Sequence, residues 1–307
     1  MTDILSPEEP KTKSGFVAII GAPNAGKSTL LNTLIGQKLS ITSPKPQTTR
    51  MRMVGVLTEG ATQICLIDTP GIFLPKVRLD RAMVQAAWGA LEQADAIVLL
   101  VDAASARKSE ELDIIIETLQ QHNNRVILAL NKVDKVDKND LLPLAQKIHD
   151  TAIVDATFMI SGMKGDGVDD LKRHLAELMP ENPWYFPDDQ ISDLPSQLIA
   201  AEMTREQLYR QLQQELPYAA TVVPESWETK ADGSIVIRQH IIIARAAHRP
   251  IVLGKQGSRI KSIGEAARKD IAEFMECPVH LFLEIKLDEK WQDRREFYAM
   301  FGLEFGK

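Results

Sequence analysis

The run Gly21-Ala22-Pro23-Asn24-Ala25-Gly26-Lys27-Ser28 constrains this chain more than any other stretch. It fits G-x-x-x-x-G-K-[ST], which has physical meaning only where a buried strand hands over to a helix. The flanks supply both. Phe16 to Ile20 is an apolar run between two glycines, and Lys27 to Ile35 has the apolar spacing of a helix. Glycines in such a loop let successive backbone N–H groups turn inward around an anion, and the following helix adds its positive end. The segment therefore predicts a phosphate cradle. Lys27 would reach the β and γ phosphates, Ser28 would ligate Mg²⁺, and Thr29 would stand at the mouth of the helix.

Further pieces follow in the order a nucleotide site needs. Asp68-Thr69-Pro70-Gly71 comes directly after the apolar strand ICLI. Asp68 would hold Mg²⁺ through water, and the N–H of Gly71 would sense a γ phosphate. Asn131-Lys132-Val133-Asp134 follows the strand VILAL. The Asp134 carboxylate can accept from guanine N1–H and the 2-amino group together. Adenine offers neither bond, so Asp134 is the specificity residue. Asn131 would brace the loop, and the Lys132 stem would lie on the base. Ser161-Gly162-Met163 follows the strand TFMI, where backbone N–H groups would meet guanine O6. Between the first and second pieces lies Pro46-Gln47-Thr48-Thr49-Arg50. A threonine here would complete the Mg²⁺ shell when a γ phosphate is present and release it after hydrolysis. Thr49 is the favoured ligand and Thr48 the alternative.

These pieces predict Mg²⁺-assisted attack of water on GTP, giving GDP and phosphate. Lys27, Asn24, Thr49 and Gly71 are the expected catalytic group. Ile72 follows Asp-x-x-Gly, where Ras-like proteins carry a water-orienting glutamine, so slow intrinsic hydrolysis is expected.

Short strands alternate with helical patterns through the first 180 residues. That alternation predicts an α/β fold, a mostly parallel sheet with helices on both faces. The expected organisation is a flexible tail over 1–13, a P-loop GTPase domain over 14–180, a linker over 181–195 and a smaller α+β domain over 196–307. The linker carries Trp184, Tyr185 and Phe186, which are costly to leave wet, so it should pack on a neighbour. The second unit reads helix (about 196–216), strand, strand, short helix, Gly-x-x-Gly, helix (258–275), strand (279–287). Its last strand is expected to be antiparallel-compatible.

Composition bears on the second unit. The 307 residues carry a formal net charge of −6, which argues weakly against nucleic acid. Local potential matters more than the sum. Arg245, Arg249, Lys255, Arg259, Lys261, Arg268 and Lys269 form a basic island in the acidic chain. Within it, Gly254-Lys255-Gln256-Gly257 joins two helices, and such a loop can approach a sugar-phosphate backbone closely. The expected RNA contacts are Gly254, Lys255, Gln256 and Gly257, with Arg249, Arg259, Lys261 and Arg268 on phosphates. Ile251, Ile260 and Ile263 would form one wall of a base groove. Rival readings give this unit to a protein partner or to support of the first domain. A metabolic ATPase is the third rival, and Asp134 opposes it.

No apolar run is long enough to cross a bilayer, and residues 1–10 lack the pattern of a secretory signal. Cys65 and Cys277 read as buried thiols of a reducing compartment.

Taken together, GAPNAGKSTLLNTLIGQKLSITSPKPQTTR, LIDTPG, NKVD, DDQISDLP and LGKQGSRIKSIGEAAR resemble the Era family of bacterial ribosome-assembly GTPases. The resemblance implies a TrmE–Era-type GTPase domain followed by a type II KH domain. It implies binding to the 3′ end of 16S rRNA in the 30S subunit and a part in that subunit's maturation. It further implies a cytoplasmic monomer with weak peripheral contact to the inner membrane, and RNA binding coupled to the GTP state. Some relatives in the wider superfamily hold K⁺ with the asparagine at the position of Asn24. Two departures stand out. Ser161-Gly162 replaces the usual Ser-Ala, and Met51 follows Thr-Thr-Arg where some relatives place His or Asp.

Overall fold

A computed structural model describes residues 12–43, 45, 48–106, 109–213 and 216–306. Pro46 and Gln47, the first eleven residues of the expected tail, and the expected helical stretch at 214–215 lie outside the described residues. The first unit begins with β1 (Lys13–Ile20), so the strand starts inside the expected tail. It continues through α1 (Lys27–Ile35), β2 (Met53–Glu59), β3 (Thr62–Asp68), α2 (Arg78–Gly89), β4 (Ala96–Asp102) and α3 (Glu110–Gln121). β5 (Val126–Asn131), α4 (Lys138–His149), β6 (Val154–Met159) and α5 (Val168–Leu178) complete it.

The sheet order is β2-β3-β1-β4-β5-β6. Only β2 runs antiparallel, against β3; the remaining neighbours pair parallel. β1, β4 and β5 are buried on both faces, which is why they read as continuous apolar runs. One core lies under α1 and α5, the other under α3 and α4. All four nucleotide-site pieces begin at the carboxyl ends of strands, along one edge of the sheet, where ligands of open α/β sheets bind. α2 and α4 were not legible as helices in the sequence. Pro143 sits inside α4 and breaks the pattern a reader looks for.

Residues 181–195 pack on the first unit, although Tyr185 itself stays half exposed. The Tyr185 and Phe186 backbone N–H groups donate to Gln63 Oε1 (2.9 and 3.0 Å), and Trp184 Nε1 donates to the Ala61 carbonyl. Further on, the Val54 N–H donates to Asp193 Oδ1 (2.8 Å) and the Val56 N–H to the Ile191 carbonyl. The linker thereby covers the exposed edge of β2.

The second unit is α6 (Ser196–Gln211), β7 (Ala220–Thr229), β8 (Ile235–Ile243), α7 (Arg249–Leu253), α8 (Ser258–Met275) and β9 (Val279–Leu287), closed by α9 (Arg295–Met300). α6 ends earlier than its apolar spacing suggests. β7 and β8 form the expected hairpin, but β9 pairs parallel with β8, not antiparallel. The α7–α8 pair is the crossover that a parallel β8–β9 connection requires. α6 and α8 cover one face of this sheet. On the other face Ile242 packs with Trp291, Tyr298 and Phe301 of the C-terminal segment and with Met51, Leu79 and Met83 of the first unit. The two units thus share a core.

Candidate functional site

The loop between β1 and α1 is shaped by steric necessity. Gly26 has φ 102°, and a Cβ there would meet Asn131 Nδ2 at 2.4 Å. Asn131, 3% exposed, links three loops: Nδ2 donates to the Ala25 carbonyl (2.8 Å), while Oδ1 accepts from the Lys132 and Gly162 N–H groups. Its expected bracing part therefore corresponds to an observed set of bonds. Lys27 folds back over the loop, and its ammonium donates to the Gly21 and Ala22 carbonyls, each at 3.1 Å. Burial lowers its pKa to about 8, although nearby Asp68 pulls the other way.

Ser28, Thr49 and Asp68 converge beside Lys27. Asp68 Oδ2 accepts from Ser40 (2.6 Å), Ser28 (3.2 Å) and Thr49 (3.5 Å), and the Ser28 and Thr49 hydroxyls lie 2.9 Å apart. Asp68 is fully buried, which raises its pKa despite those hydroxyls. Its other oxygen, Oδ1, is buried without a hydrogen-bonding partner. An orphaned carboxylate oxygen beside two hydroxyls fits a hard oxygen-seeking cation such as Mg²⁺. Thr48 lies apart from this cluster, its hydroxyl donating to the Lys45 carbonyl. Ser40 has no local signal for this role, because the role consists of a bond to Asp68, which is distant in the chain.

The remaining expected residues fall around this centre. Pro23 touches Gly71, whose Cβ position would lie 3.1 Å from Pro23 atoms. The Thr69 hydroxyl is committed to the Ile19 carbonyl, so its side chain faces the sheet rather than the cleft. Ile72 is buried in the core under α3 and α4. Lys132 has φ 62°, and its ammonium bonds the Asn24 carbonyl (2.6 Å) and Asp102 (2.7 Å). Asp102, at the end of β4, is a second positioning residue that sequence reasoning missed. Asp134 Oδ1 accepts from the Ser161 hydroxyl at 2.9 Å; that bond first, then Lys164, lowers its pKa. The Gly162 N–H is already spent on Asn131, so the exposed Met163 carries the next N–H in line for a ligand.

In the second unit the basic island is exposed throughout. Gly254 has φ 71°, and a Cβ there would lie 2.8 Å from the Arg259 backbone. A Cβ on Gly257 would point into open space, where a ligand backbone can approach. Gln256 is held left-handed at φ 51°, which projects the loop tip. A groove of about 470 Å³ runs between α8 and β9, lined by Ile260, Lys261, Gly264, Arg268, His280 and Phe282 among others. Ile263 does not line it. It is fully buried in the core under the groove, because it falls on the opposite side of α8 from Lys261 and Arg268. Phe282, half exposed on β9, belongs to the groove instead.

Several side chains join the segment beside the cleft to the second unit, Arg50 with the most bonds among them. Arg50, next to Thr49, is 3% exposed and reaches into the second unit. Nη1 donates to the Ala220 carbonyl (2.8 Å); Nη2 donates to the Tyr209 hydroxyl (2.9 Å) and the Tyr218 (3.0 Å) and Pro217 (3.1 Å) carbonyls. The Tyr209 and Trp291 rings flank the guanidinium at 5.6 and 5.5 Å. Lys45 donates to the Tyr209 and Leu212 carbonyls, and Arg205 of α6 donates to the Thr48 carbonyl.

Comparison with known proteins fits this arrangement. Residues 16–132 match the family model described as "50S ribosome-binding GTPase", and residues 215–292 match that of the KH domain. GTPase Era of Erythrobacter litoralis is 52% identical over 298 residues, covering 96% of this chain and 98% of that protein. GTPase Era of Rhizobium meliloti is 49% identical over the full length of both. Two solved structures, each 38% identical, superpose with a TM-score of 0.88 over 95% of this chain and 99% of theirs. One is Era with MgGDPNP and nucleotides 1506–1542 of 16S ribosomal RNA; the other is an Aquifex aeolicus Era variant bound to GDP·AlF4⁻. With identity this high across both units, the chain belongs to the Era family of GTPases.

Proposed function

We propose that the chain is a GTP-hydrolysing switch that binds the 3′ end of 16S rRNA through its second domain and assists maturation of the 30S subunit. One observation carries the reading. Ser28, Thr49 and the orphaned Asp68 oxygen converge beside Lys27, and the next residue, Arg50, is locked into the KH domain. The ligand-sensing threonine and the interdomain latch are adjacent in the chain.

In this reading the loop N–H groups of Gly21, Ala22, Asn24, Ala25 and Gly26 cradle the phosphates; Pro23, which has no N–H, shapes the turn against Gly71, and Thr29 stands at the helix mouth. Lys27 meets the β and γ oxygens, and Gly71 donates its N–H to the γ phosphate. Ser28, Thr49 and Asp68 hold Mg²⁺. When bound, the ion neutralises charge on the phosphate oxygens as the bond to the leaving group breaks. Asp134 accepts from guanine N1–H and the 2-amino group, and the Met163 N–H faces O6. Ile72 supplies no group to orient water, so intrinsic turnover is slow and RNA-bound turnover faster. The related structure with 16S rRNA and the basic Gly254–Gly257 loop support the RNA half. Arg249, Ile251, Lys255, Gln256, Arg259, Ile260, Lys261 and Arg268 make that contact.

K⁺ beside Asn24 is part of the proposal and is decided by comparing hydrolysis in KCl and NaCl. Peripheral membrane contact and a monomeric state are likewise proposed. Among the described residues no helix is long and apolar enough to cross a membrane.

The test is GTP hydrolysis by the full chain with Mg²⁺, with and without the rRNA fragment. Hydrolysis should be stimulated by the fragment and should collapse in Thr49→Ala, while Thr48→Ala stays near wild type. Equal loss in both variants would contradict the assignment of Thr49.

A further inference from the structure

β8 presents two faces. Ile237, Ile241 and Ile243 enter cores that include α6 and α8 residues, so His240 and Ile242 point to the opposite face. On that face Glu284 of β9 pairs directly with His240. The β7 side is less regular: Pro224 pairs with Gln239 and Ser226 with Arg238, leaving Glu225 as the extra residue of a β-bulge. Bulges re-aim side chains. Here the bulge turns Glu225 toward His240. Glu225 Oε2 lies 3.1 Å and Glu284 Oε2 3.2 Å from His240 Nε2.

The His240 side chain is 10% exposed, and its Nε2 has no hydrogen-bonding partner despite two carboxylate oxygens at contact distance. A hydrogen bond would need the N–H aimed at one of them. Neither contact meets that geometry, so Nε2 sits between the two carboxylate oxygens with its hydrogen-bonding capacity unused. Tetrahedral coordination with bonds near 2.0–2.1 Å sets neighbouring ligand atoms about 3.3 Å apart. The three ligand atoms all lie within 4.8 Å of one another. Both glutamates are partly solvent-exposed, which leaves a path for entry and an open fourth position.

We propose that Glu225, His240 and Glu284 form a binding site for a first-row divalent transition ion such as Zn²⁺. The donor set is one imidazole and two carboxylates, which Zn²⁺ accepts and which Mg²⁺, seeking an all-oxygen shell, does not favour. Lys286 lies 3.9 Å from Glu284 but is half exposed and free to turn outward. The ion would tie all three strands together two residues from Ile242, which packs against the C-terminal segment and the GTPase unit. It would stiffen the sheet where it backs onto the first domain.

The experiment uses the full chain, stripped of transition metals and saturated with Mg²⁺·GDP so that the nucleotide site is filled. Zn²⁺ is titrated by calorimetry, and Co²⁺ is followed by visible absorption. The expected result is one Zn²⁺ per chain, with a Co²⁺ spectrum free of thiolate character. Losing an outer hydrogen-bond partner of a ligand costs about 10- to 100-fold in metal affinity, so loss of a ligand itself should cost at least that. Glu225→Gln and Glu284→Gln are surface changes that keep the fold, and each should weaken Zn²⁺ binding by that factor, as should His240→Gln. Cys277→Ser should leave it unchanged. Absence of saturable Zn²⁺ binding, or unchanged affinity in any one of the Glu225→Gln, Glu284→Gln and His240→Gln variants, would overturn the proposal.

Discussion

Replacing Arg50 by alanine should uncouple the two domains. The side chain donates to three carbonyls and a phenol, all from the KH unit, at 2.8–3.1 Å. A hydrogen bond from a charged donor contributes about 1.5–3 kcal/mol, and bonds that share one guanidinium do not add fully. Burial, which lowers the Arg50 pKa, offsets part of the gain. The alanine variant also removes one donor from each of three carbonyls, of which that of Tyr218 keeps the Gln292 amide as a partner. A net loss of about 3 kcal/mol in the docked state follows, roughly 150-fold in the docking equilibrium. At about 4 °C per kcal/mol for a unit of roughly 110 residues, the KH unit should melt about 12 °C earlier and apart from the GTPase unit. Calorimetry reads the split directly. Arg50→Lys should fall between, since an ammonium reaches fewer of these acceptors. GDP affinity should hold, because Arg50 points away from the cleft, while stimulation of hydrolysis by RNA should disappear. A single transition at the wild-type temperature together with intact RNA stimulation would refute this reasoning.

Two further outcomes are expected. Asp134→Asn replaces one of the two carboxylate oxygens that guanine N1–H and the 2-amino group need with an NH₂ donor, and it keeps the Ser161 hydroxyl as a brace. GDP affinity should fall about 100-fold or more, and xanthosine diphosphate, whose C2 carbonyl can accept from the new amide, should gain; unchanged base preference by calorimetry would sink Asp134 as the specificity residue. Lys27 has a pKa near 8 in the free protein, and bound phosphate pulls it upward, so binding takes up a proton above that pH. GDP affinity should be level below pH 8 and fall by up to about tenfold per pH unit above it, and a profile flat to pH 9.5 would contradict the buried-lysine account.

Much of this was legible in the sequence because the motifs sit where backbone geometry forces them. The P-loop, the Asp68 turn and the Asn131 turn each close an apolar strand, and their glycines and asparagine have no ready substitute at Gly26, Gly254 or Asn131. α8 and β9 were read to the residue because Gly257 and Pro278 frame them. Other features had no local signal. Ser40 and Asp102 act through bonds to motif residues far along the chain. The direction of β9 depends on how α7 and α8 cross the sheet, which no strand pattern encodes. Ile263 reads as a groove residue by neighbourhood, yet helical rotation puts it in the core. Nothing in the segment 46–50 marks Arg50 for burial, and only the second domain explains it.

The most direct test of the account is the affinity of the full chain for a short RNA matching the 3′ end of 16S rRNA, at one fixed salt concentration because phosphate contacts make binding salt-dependent. It should be measured with GDP and with a non-hydrolysable GTP analogue, for the wild type and for a Lys255→Asp, Gln256→Asp variant. A GTP-gated RNA binder should bind tightly with the analogue and more weakly with GDP, and the variant should lose binding in both states. Equal, weak binding throughout would leave the GTPase domain standing and contradict the RNA half.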